Sequence, residues 1–406
     1  MPDAPILVLL AFAPASPMGA EIAREPGGEP IVLGLGLIER ATLAARRSDY
    51  SQVFLLGSGS RTTPGLPAIA DWCSLAATLA SAPPALVVIA PAAILCETGW
   101  LERLASTRIE PAGWGTIPNR IVMLPAHSAV GAAEALDREG GARDLAAVQA
   151  RLATRFGPPA RILAHIDPLV VETQADLRAA EARLLKSLVK ETDGFMARHV
   201  ERPISLQISR RLAGTAITPN QMSLISIAVG ICGGPFFLSS RPLIQTIGAL
   251  LFLAHSILDG CDGELARLRF QQSRWGGILD FWGDNVVHIV IFACMSLGWS
   301  FASGSPWPLA LGAGAVLGTF GAAGFVYWRL MRMKNGADTL FTSVSGAPDG
   351  PLARLLDSAS RRDFIYLVIL LALFGRSSWF LVMAGIGAPI YFLLVLLAAR
   401  NRPQFG

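Results

Sequence analysis

The sequence is poor in charge and in cysteine. Asp, Glu, Lys and Arg make up only 16% of its 406 residues, whereas soluble domains average about 25%. The 34 basic and 30 acidic residues nearly balance, which gives no indication of a nucleic-acid partner. Five cysteines without a C-x-x-C pair exclude a disulfide framework or a zinc site of the usual spacing and indicate free thiols. Apolar residues, at 52%, predict that part of the chain lies in a membrane.

The first 170 residues alternate short apolar runs with helical patterns. The opening run begins with an acid instead of basic residues, so we do not expect a secretory signal. Predicted strands are Ile6–Phe12, Val53–Leu56, Ala85–Ala90, Arg120–Leu124 and Arg161–His165, and predicted helices include Leu35–Arg47, Ala68–Ala82 and Ala142–Phe156. This alternation predicts a Rossmann-like α/β domain with a mostly parallel sheet over residues 1–170.

A charged linker follows over residues 171–216. Thr173–Glu191 has the pattern of an amphipathic helix, and in the next segment apolar positions alternate with four arginines, Arg198, Arg202, Arg210 and Arg211. This pattern favours a juxtamembrane helix lying on the membrane surface. A solvated linker helix is the alternative.

Residues 217–406 contain six uncharged segments. These are Met222–Ser240, Pro242–Leu258, Asn285–Ser303, Pro306–Trp328, Phe364–Gly375 and Ser377–Ala399. Because a spanning helix needs about 20 residues, flanking turns must complete the shorter segments. The sequence therefore predicts an all-α domain of six transmembrane helices.

Basic residues cluster in alternate gaps between these segments. One set comprises Arg267, Arg269, Arg274, Arg332, Lys334, Arg354, Arg361, Arg362, Arg400 and Arg402, while the opposite gaps contain only Arg241 and Arg376. By the positive-inside rule, both termini and the α/β domain lie on the cytoplasmic side of a multi-pass inner-membrane protein.

Four aspartates border the second and third spans. Asp259 and Asp262 are three residues apart, and Asp280 and Asp284 are four apart, so each pair shares a helix face. Ionisable groups at such positions are costly and usually functional. A hairpin would bring all four together, where they could not all stay ionised without a cation. An all-oxygen ligand set selects Mg²⁺ or Mn²⁺, and four acids suit two ions.

These acids belong to a longer pattern of fixed spacing: Asp259-x-x-Asp262-Gly263-x-x-Ala266-Arg267, eight residues, then Gly276-x-x-x-Asp280-x-x-x-Asp284. The pattern resembles the complete signature of the CDP-alcohol phosphotransferase (CDP-alcohol phosphatidyltransferase) family. Acids that merely cap helices or pair with loop arginines are the alternative.

The resemblance implies a role for each position. Asp259, Asp262 and Asp280 would bind a metal pair at the donor pyrophosphate, and Asp284 would be the general base and a further possible ligand. Gly263, Ala266, Arg267 and Gly276 would line the cytidine and diphosphate site. The resemblance also implies a homodimer, with CMP as the leaving group.

Two flanking features extend this pattern. Ile217-Thr218-Pro219-Asn220 resembles the family's entry into its first span, where Thr218 or Asn220 would contact the nucleotide; a helix N-cap followed by proline is an equal alternative. Arg361 and Arg362 open the fifth span, where family members acting on phosphorylated polyols use basic residues. Either a phosphate clamp or membrane anchoring explains them.

The linker and the α/β pattern resemble one subgroup, the bifunctional inositol-1-phosphate cytidylyltransferase/di-myo-inositol-phosphate-phosphate synthases. Their front domain is nucleotidyltransferase-like. Here the loop after the first strand lacks the glycines that would cradle phosphates, Glu29 replaces an expected lysine, and Ala90-Pro91-Ala92 replaces an expected metal-binding aspartate. We therefore expect a degenerate domain without cytidylyltransferase activity, in which Asp167 could be a surviving acid.

The sequence thus predicts a membrane enzyme that moves a phospho-alcohol group from a CDP-linked donor to a polyol or lipid acceptor, with inositol or its phosphate favoured. A phospholipid synthase using CDP-diacylglycerol is the alternative enzyme. A transporter or a membrane-anchored binding module remains the alternative of another class, although neither requires this spacing of acids and glycines.

Overall fold

The computed structural model describes residues 4–11, 30–57, 66–81, 85–111, 113–138, 141–163, 166–190, 193–332 and 364–400. They form two compact units, Met1–Leu184 and Leu185–Gly406. The division falls inside a helix of the predicted linker.

The first unit is an α/β layer. Its strands are β1 (Ile6–Leu10), β2 (Ile31–Val32), β3 (Leu35–Gly36), β4 (Gln52–Leu56), β5 (Ala68–Ile69), β6 (Leu86–Pro91), β7 (Gly115–Ile117), β8 (Ile121–Pro125) and β9 (Arg161–Ile162). Its helices are α1 (Leu37–Arg47), α2 (Trp72–Ser81), α3 (Thr98–Ala105), α4 (Ala126–Asp137), α5 (Leu145–Phe156) and α6 (Gln174–Ser187).

Seven of these strands form one sheet in the order β5-β4-β1-β6-β8-β7-β9, and β2 pairs with β3 separately. Four neighbouring pairs are parallel, whereas β8 runs antiparallel to both β6 and β7. The expectation of a mostly parallel sheet is confirmed. β1 and β8 are buried along their whole length, which explains their continuous apolar sequences.

The helix and strand boundaries correct several expectations. The helix predicted from Leu35 begins at Leu37, because Leu35 and Gly36 pair with Ile31 and Val32. The helix predicted from Ala68 begins at Trp72, because Ala68–Ile69 pairs with β4 at the sheet edge. The apolar composition of these segments does not distinguish an edge strand from a first helical turn.

The second unit is helical. A π-helical turn (Ala197–Glu201) leads into α7 (Arg202–Leu212), and α8 (Pro219–Gly233) ends in a 3₁₀ turn (Gly234–Leu238). The remaining helices are α9 (Pro242–Leu268), α10 (Arg274–Ser303), α11 (Trp307–Arg332), α12 (Phe364–Leu373) and α13 (Ser377–Arg400). Their shared core includes Phe252, Val287, Ile291, Met295 and Leu381.

Five helices in the described part of the chain are long and apolar enough to cross a membrane: Pro219–Leu238, Pro242–Leu268, Arg274–Ser303, Trp307–Arg329 and Ser377–Leu397. The predicted fifth span is a ten-residue helix, α12, and residues 333–363 before it lie outside the described residues. The predicted fifth span, and with it the count of six, therefore stays a prediction.

The hairpin between α9 and α10 positions the predicted acids. Only five residues separate the two helices, and Arg269 in this loop donates hydrogen bonds to four backbone carbonyls, those of Leu212, Ala213, Thr215 and Ile217. Since the last carbonyls of a helix lack intrahelical partners, Arg269 satisfies the end of α7 and ties it to the hairpin. Ser273 caps α10 by accepting from the Gly276 amide at 3.0 Å.

Candidate active site

The hairpin brings three predicted carboxylates together. Asp259 and Asp262 on α9 are buried, Asp280 on α10 is half-buried, and one oxygen of each lies within 4.8 Å of the others. They meet at the loop of five residues that joins the end of α9 to the start of α10.

This cluster suits a hard divalent cation. Mg²⁺ binds oxygen ligands at about 2.0–2.1 Å, so two oxygens on opposite sides of an ion lie about 4.2 Å apart. The carboxylates therefore need only small side-chain adjustments to share an ion. Without one, three converging acids repel each other in a partly desolvated site.

Asp284, the fourth acid of the pattern, contacts a histidine of α9. Its Oδ1 lies 3.3 Å from Nε2 of His255, a residue of α9 that is buried. His255 Nδ1 lies 2.9 Å from the carbonyl oxygen of Ser226 on α8. Thus the fourth carboxylate is engaged by a histidine, while the other three converge.

Two serines of α8 support this arrangement. The buried Ser223 hydroxyl donates to Oδ2 of Asp262, and the Ser226 hydroxyl donates to the Ser223 carbonyl at 2.8 Å. Sequence analysis did not identify Ser223, Ser226 or His255. The spacing of His255 was a usable signal, because it stands four and seven residues before Asp259 and Asp262 and so shares their helix face.

The predicted glycine and arginine of α9 are adjacent in space. A Cβ on Gly263 would lie 3.3 Å from Nη1 of Arg267, so the missing side chain lets the guanidinium lie over the helix. Ala266 is buried beside them. Within the described residues, the buried Nε of Arg267 has no hydrogen-bond partner, which suits an anionic ligand.

The predicted residues at the start of α8 and α10 also meet. A Cβ on Gly276 would lie 3.0 Å from Oδ1 of Asn220, so this glycine permits the close approach of Asn220. Thr218 forms a capping box, accepting from the Gln221 amide while Gln221 accepts from the Thr218 amide. The N-cap alternative is therefore confirmed for Thr218, whereas Asn220 remains a candidate for ligand contact.

A polar network joins α9 to the juxtamembrane segment. Glu264 is fully buried and accepts from Arg202 at 2.8 Å, Ser205 at 2.7 Å and Ser209 at 2.6 Å. Arg202 also donates twice to Asp193, both times at 2.9 Å. Burial opposes the ionisation of Asp193, but the hydrogen bonds and charge of Arg202 prevail and hold the pKa of this carboxyl below its usual value.

This network places positive charge near the acids. Lys190 donates its backbone N–H to Asp193 at 3.0 Å. Burial, together with the nearby charges of Arg267 and Arg202, holds the pKa of Lys190 below its usual value. Arg361 and Arg362 lie outside the described residues, so their predicted acceptor site stays a prediction.

Comparison with known proteins identifies the region that contains this site. The model of the CDP-alcohol phosphatidyltransferase family matches residues 216–339. Two relatives are named bifunctional IPC transferase and DIPP synthase. The protein of Archaeoglobus fulgidus is 39% identical over 31% of this chain and 25% of its own length. The protein of Rubrobacter xylanophilus is 38% identical over 35% of this chain and 33% of its own length. The chain thus matches only about a quarter to a third of the length of these curated relatives.

Among solved structures, Mycobacterium tuberculosis phosphatidylinositol phosphate synthase, with CDP-DAG bound, shares 17% identity over 50% of this chain and 96% of its own, at a TM-score of 0.36. The family match contains every position of the acid pattern, from Asp259 to Asp284. Residues 216–339, which contain the candidate site, thus match the CDP-alcohol phosphatidyltransferase family.

Proposed function

We propose that this protein is an integral membrane CDP-alcohol phosphotransferase that releases CMP. The observation that carries the proposal is the convergence of Asp259, Asp262 and Asp280, with Asp284 in contact with His255. The three converging acids are candidates for metal binding and Asp284 is the candidate base, the two roles that phosphoryl transfer to a hydroxyl requires.

The chain's residues would act as follows. Asp259, Asp262 and Asp280 would hold a pair of Mg²⁺ or Mn²⁺ ions, which would neutralise charge developing on the donor phosphates. Asp284 takes the proton from the acceptor hydroxyl, and that oxygen forms a bond to the phosphorus carrying the alcohol. The bond from this phosphorus to the bridging oxygen breaks, and CMP leaves with the electron pair.

The positive groups beside the acids support an anionic donor. Arg267 has a buried Nε without a partner among the described residues, and Lys190 lies close enough to Arg267 and Arg202 for their charges to lower its pKa. A diphosphate would relieve this repulsion and satisfy the open donor. Gly263, Ala266, Gly276 and Asn220, and less directly Thr218, would line the nucleotide site.

The names of the relatives favour a polyol-containing substrate. They include IPC transferase and DIPP synthase, archaetidylinositol phosphate synthase from Pyrococcus horikoshii and CDP-diacylglycerol–serine O-phosphatidyltransferase from Mycobacterium leprae. We propose inositol or inositol phosphate as part of the donor or acceptor, with transfer from CDP-diacylglycerol as the alternative. Arg361 and Arg362 are proposed to bind an acceptor phosphate.

We further propose that the first unit is a degenerate nucleotidyltransferase-like domain. Supporting this, β6 lies beside β1 and ends in Ala90-Pro91-Ala92, where no side chain can ligate a metal. Ligands of open α/β sheets usually bind at the carboxyl ends of such strands. The loop over residues 12–29 and Glu29 lie outside the described residues. A separate enzyme would then supply the CDP-linked donor.

The membrane arrangement is also proposed. Alternating basic gaps support a cytoplasmic site and cytoplasmic termini in the inner membrane, and the family resemblance supports a homodimer. Crosslinking in membranes and accessibility of single introduced cysteines would test both.

The decisive experiment measures CMP release by purified protein in detergent with Mn²⁺ or Mg²⁺. CDP-diacylglycerol and CDP-inositol are each combined with inositol, inositol phosphate and glycerol phosphate, and Asp284→Asn provides the blank. Turnover only with CDP-inositol supports the polyol assignment, and turnover with CDP-diacylglycerol supports the phospholipid alternative. No CMP from any pair would contradict the proposed function.

A further inference from the structure

We propose that Arg202 is a positioning residue that keeps the guanidinium of Arg267 available for the donor diphosphate, by binding Glu264 in its place. The inference rests on the proposed function, because it presumes that a CDP-linked donor binds at Arg267. Arg202 lies outside the pattern of fixed spacing, and Glu264 stands at one of its unspecified positions. The inference therefore adds the juxtamembrane helix α7 to the donor site.

Helix geometry places Glu264 and Arg267 side by side. They are three residues apart on α9, and oppositely charged side chains at this spacing attract each other. Long side chains of a helix lean back toward its N-terminus, and Arg267 does so, because its Nη1 would lie 3.3 Å from a Cβ on Gly263. An ion pair between Glu264 and Arg267 is therefore the pairing that the sequence of α9 alone would favour.

The structure shows a different pairing. Both carboxylate oxygens of Glu264 accept from α7, Oε1 from Arg202 at 2.8 Å and Ser205 at 2.7 Å, and Oε2 from Ser209 at 2.6 Å. The three donors stand at positions i, i+3 and i+7, so they share one face of α7. Nε of Arg267 is buried and has no hydrogen-bond partner among the described residues. Glu264 is thus satisfied without Arg267.

Arg202 is itself held in place from two sides. Its Nη1 binds Glu264, while its Nε and Nη2 both donate to Asp193 at 2.9 Å. Its side chain is 15% exposed, and a Cβ on Gly260 would lie 3.4 Å from its Nη1. The guanidinium therefore lies against α9, one turn before Glu264, where it supplies a fixed positive charge.

This charge determines which arginine Glu264 binds. Glu264 is fully buried, and a buried carboxylate without a cation is strongly destabilising. If Arg202 were absent, Glu264 would draw in Arg267, the arginine of its own helix. A guanidinium that binds a carboxylate has fewer donors left for a phosphate, so the donor diphosphate would then have to compete with Glu264.

CDP is the probe for this competition, because it is the part shared by every proposed donor. CDP would be titrated with Mn²⁺ into the purified full-length protein in detergent. Arg202→Met removes the charge and keeps most of the apolar stem. We expect CDP affinity to fall by about 10–100-fold, the usual effect of losing hydrogen bonds to a charged group, while Mn²⁺ affinity measured without CDP changes little. Arg211→Met, the same substitution at an exposed position of α7, is the matched control.

A second substitution distinguishes positioning from support of the fold. In the double variant Arg202→Met with Glu264→Gln, the amide oxygen can still accept from the serines of α7, but no charge remains to draw in Arg267. The double variant should therefore bind CDP more tightly than Arg202→Met alone. If Arg202 only supported the fold, the second substitution would add to the loss. Unchanged CDP affinity in Arg202→Met, or no recovery in the double variant, would overturn the positioning role.

Arg202→Lys covers the case in which Arg202→Met does not fold. A lysine keeps the charge but lacks the planar fork that binds Asp193 and Glu264 together, so CDP affinity should fall less, and Glu264→Gln should again restore it. The absence of that recovery would equally overturn the inference. Wild-type protein that neither binds CDP nor releases CMP would instead overturn the proposed function, so the two failures are distinguishable.

Discussion

The two units of this protein differ in how many carboxylates they bury. Among the described residues, the α/β unit contains no buried Asp or Glu, and its core consists of strands and helices packed through apolar side chains such as Leu7, Trp72 and Val122. The second, helical unit, the membrane unit, buries four carboxylates: Glu201, Asp259, Asp262 and Glu264. The unit with fewer charges overall thus accepts the larger cost of burying them.

The buried acids of the membrane unit fall into two kinds. Glu264 accepts three hydrogen bonds, and Glu201 accepts from Ser256 at 2.9 Å and Tyr366 at 3.3 Å. Asp259 and Asp262 instead converge with another acid. A satisfied carboxylate contributes to structure, whereas converging carboxylates raise the free energy of the folded protein until a cation binds. Convergence therefore separates candidate ligands from structural acids better than burial does.

The largest effect is expected for Asp284→Asn, which replaces the proposed base by an amide that cannot take a proton. Turnover should fall by about 10²–10⁴-fold, the usual contribution of a general base, while donor binding and the unfolding midpoint stay close to wild type. CMP release and donor titration would measure both. Retained turnover would exclude Asp284 as the base.

Next is Glu264→Ala, which tests the satisfied kind of acid. Removing one partner of a buried ion pair costs about 3–5 kcal/mol, and the second partner of Arg202, Asp193, places the expected cost at the lower end. Thermal unfolding in detergent would measure it. Glu102→Ala, at an exposed position, is the control and should change the free energy of unfolding by no more than about 0.5 kcal/mol. Equal shifts in the two variants would mean that the buried hydrogen bonds of Glu264 do not stabilise the protein.

A smaller effect of opposite sign is expected for Asp262→Asn, which tests the converging kind. Without divalent cations it should stabilise the protein by about 1–2 kcal/mol, because it removes repulsion and a costly buried charge. Adding Mn²⁺ should raise the unfolding midpoint of wild type more than that of the variant. Asp193→Asn is the matched control, since the paired Asp193 should lose stability; a destabilised Asp262→Asn would contradict the distinction.

The smallest effect concerns a half-buried acid of the α/β unit. Asp176 accepts from the Thr173 hydroxyl at 2.7 Å and from its amide at 2.9 Å, and the hydroxyl bond lowers the pKa of Asp176. Because the pKa of Asp176 is lower in the folded protein than in the unfolded chain, ionised Asp176 stabilises the folded protein at pH values above the unfolded pKa. This stabilisation is lost as the pH falls through the folded pKa. Thr173→Ala should cost about 0.5–1 kcal/mol at neutral pH, and less in acid; unfolding midpoints at both pH values would show whether the difference persists.

The sequence predicted the parts of the site that depend on spacing alone. Two acid pairs on helix faces, joined by a short loop, bring Asp259, Asp262 and Asp280 together because helix periodicity and chain connectivity leave little choice. The same reasoning predicted β4 and α5 within three residues of their observed bounds. The family resemblance also singled out Gly263 and Gly276, although not their close approach to Arg267 and Asn220.

Contacts between distant segments could not be predicted in this way. The pairing of Glu264 with Ser205 and Ser209 spans more than fifty residues, and serines in a linker helix give no signal of their partner. The edge strand β5 and the strand β3 were absorbed into predicted helices because two-residue strands have no periodicity to detect. Arg269 was attributed to membrane topology alone, whereas its bonds to the end of α7 depend on where two loops meet.

The division of faces on α9 restricts how the site can open. One face carries His255, Asp259 and Asp262, and the neighbouring face carries Ser256, Gly260 and Glu264, which contact Glu201, Arg202, Ser205 and Ser209. Sliding or rotating this helix by even one residue would break both sets of contacts at once. Contacts on two faces therefore hold α9 in one register and one rotation relative to its neighbours.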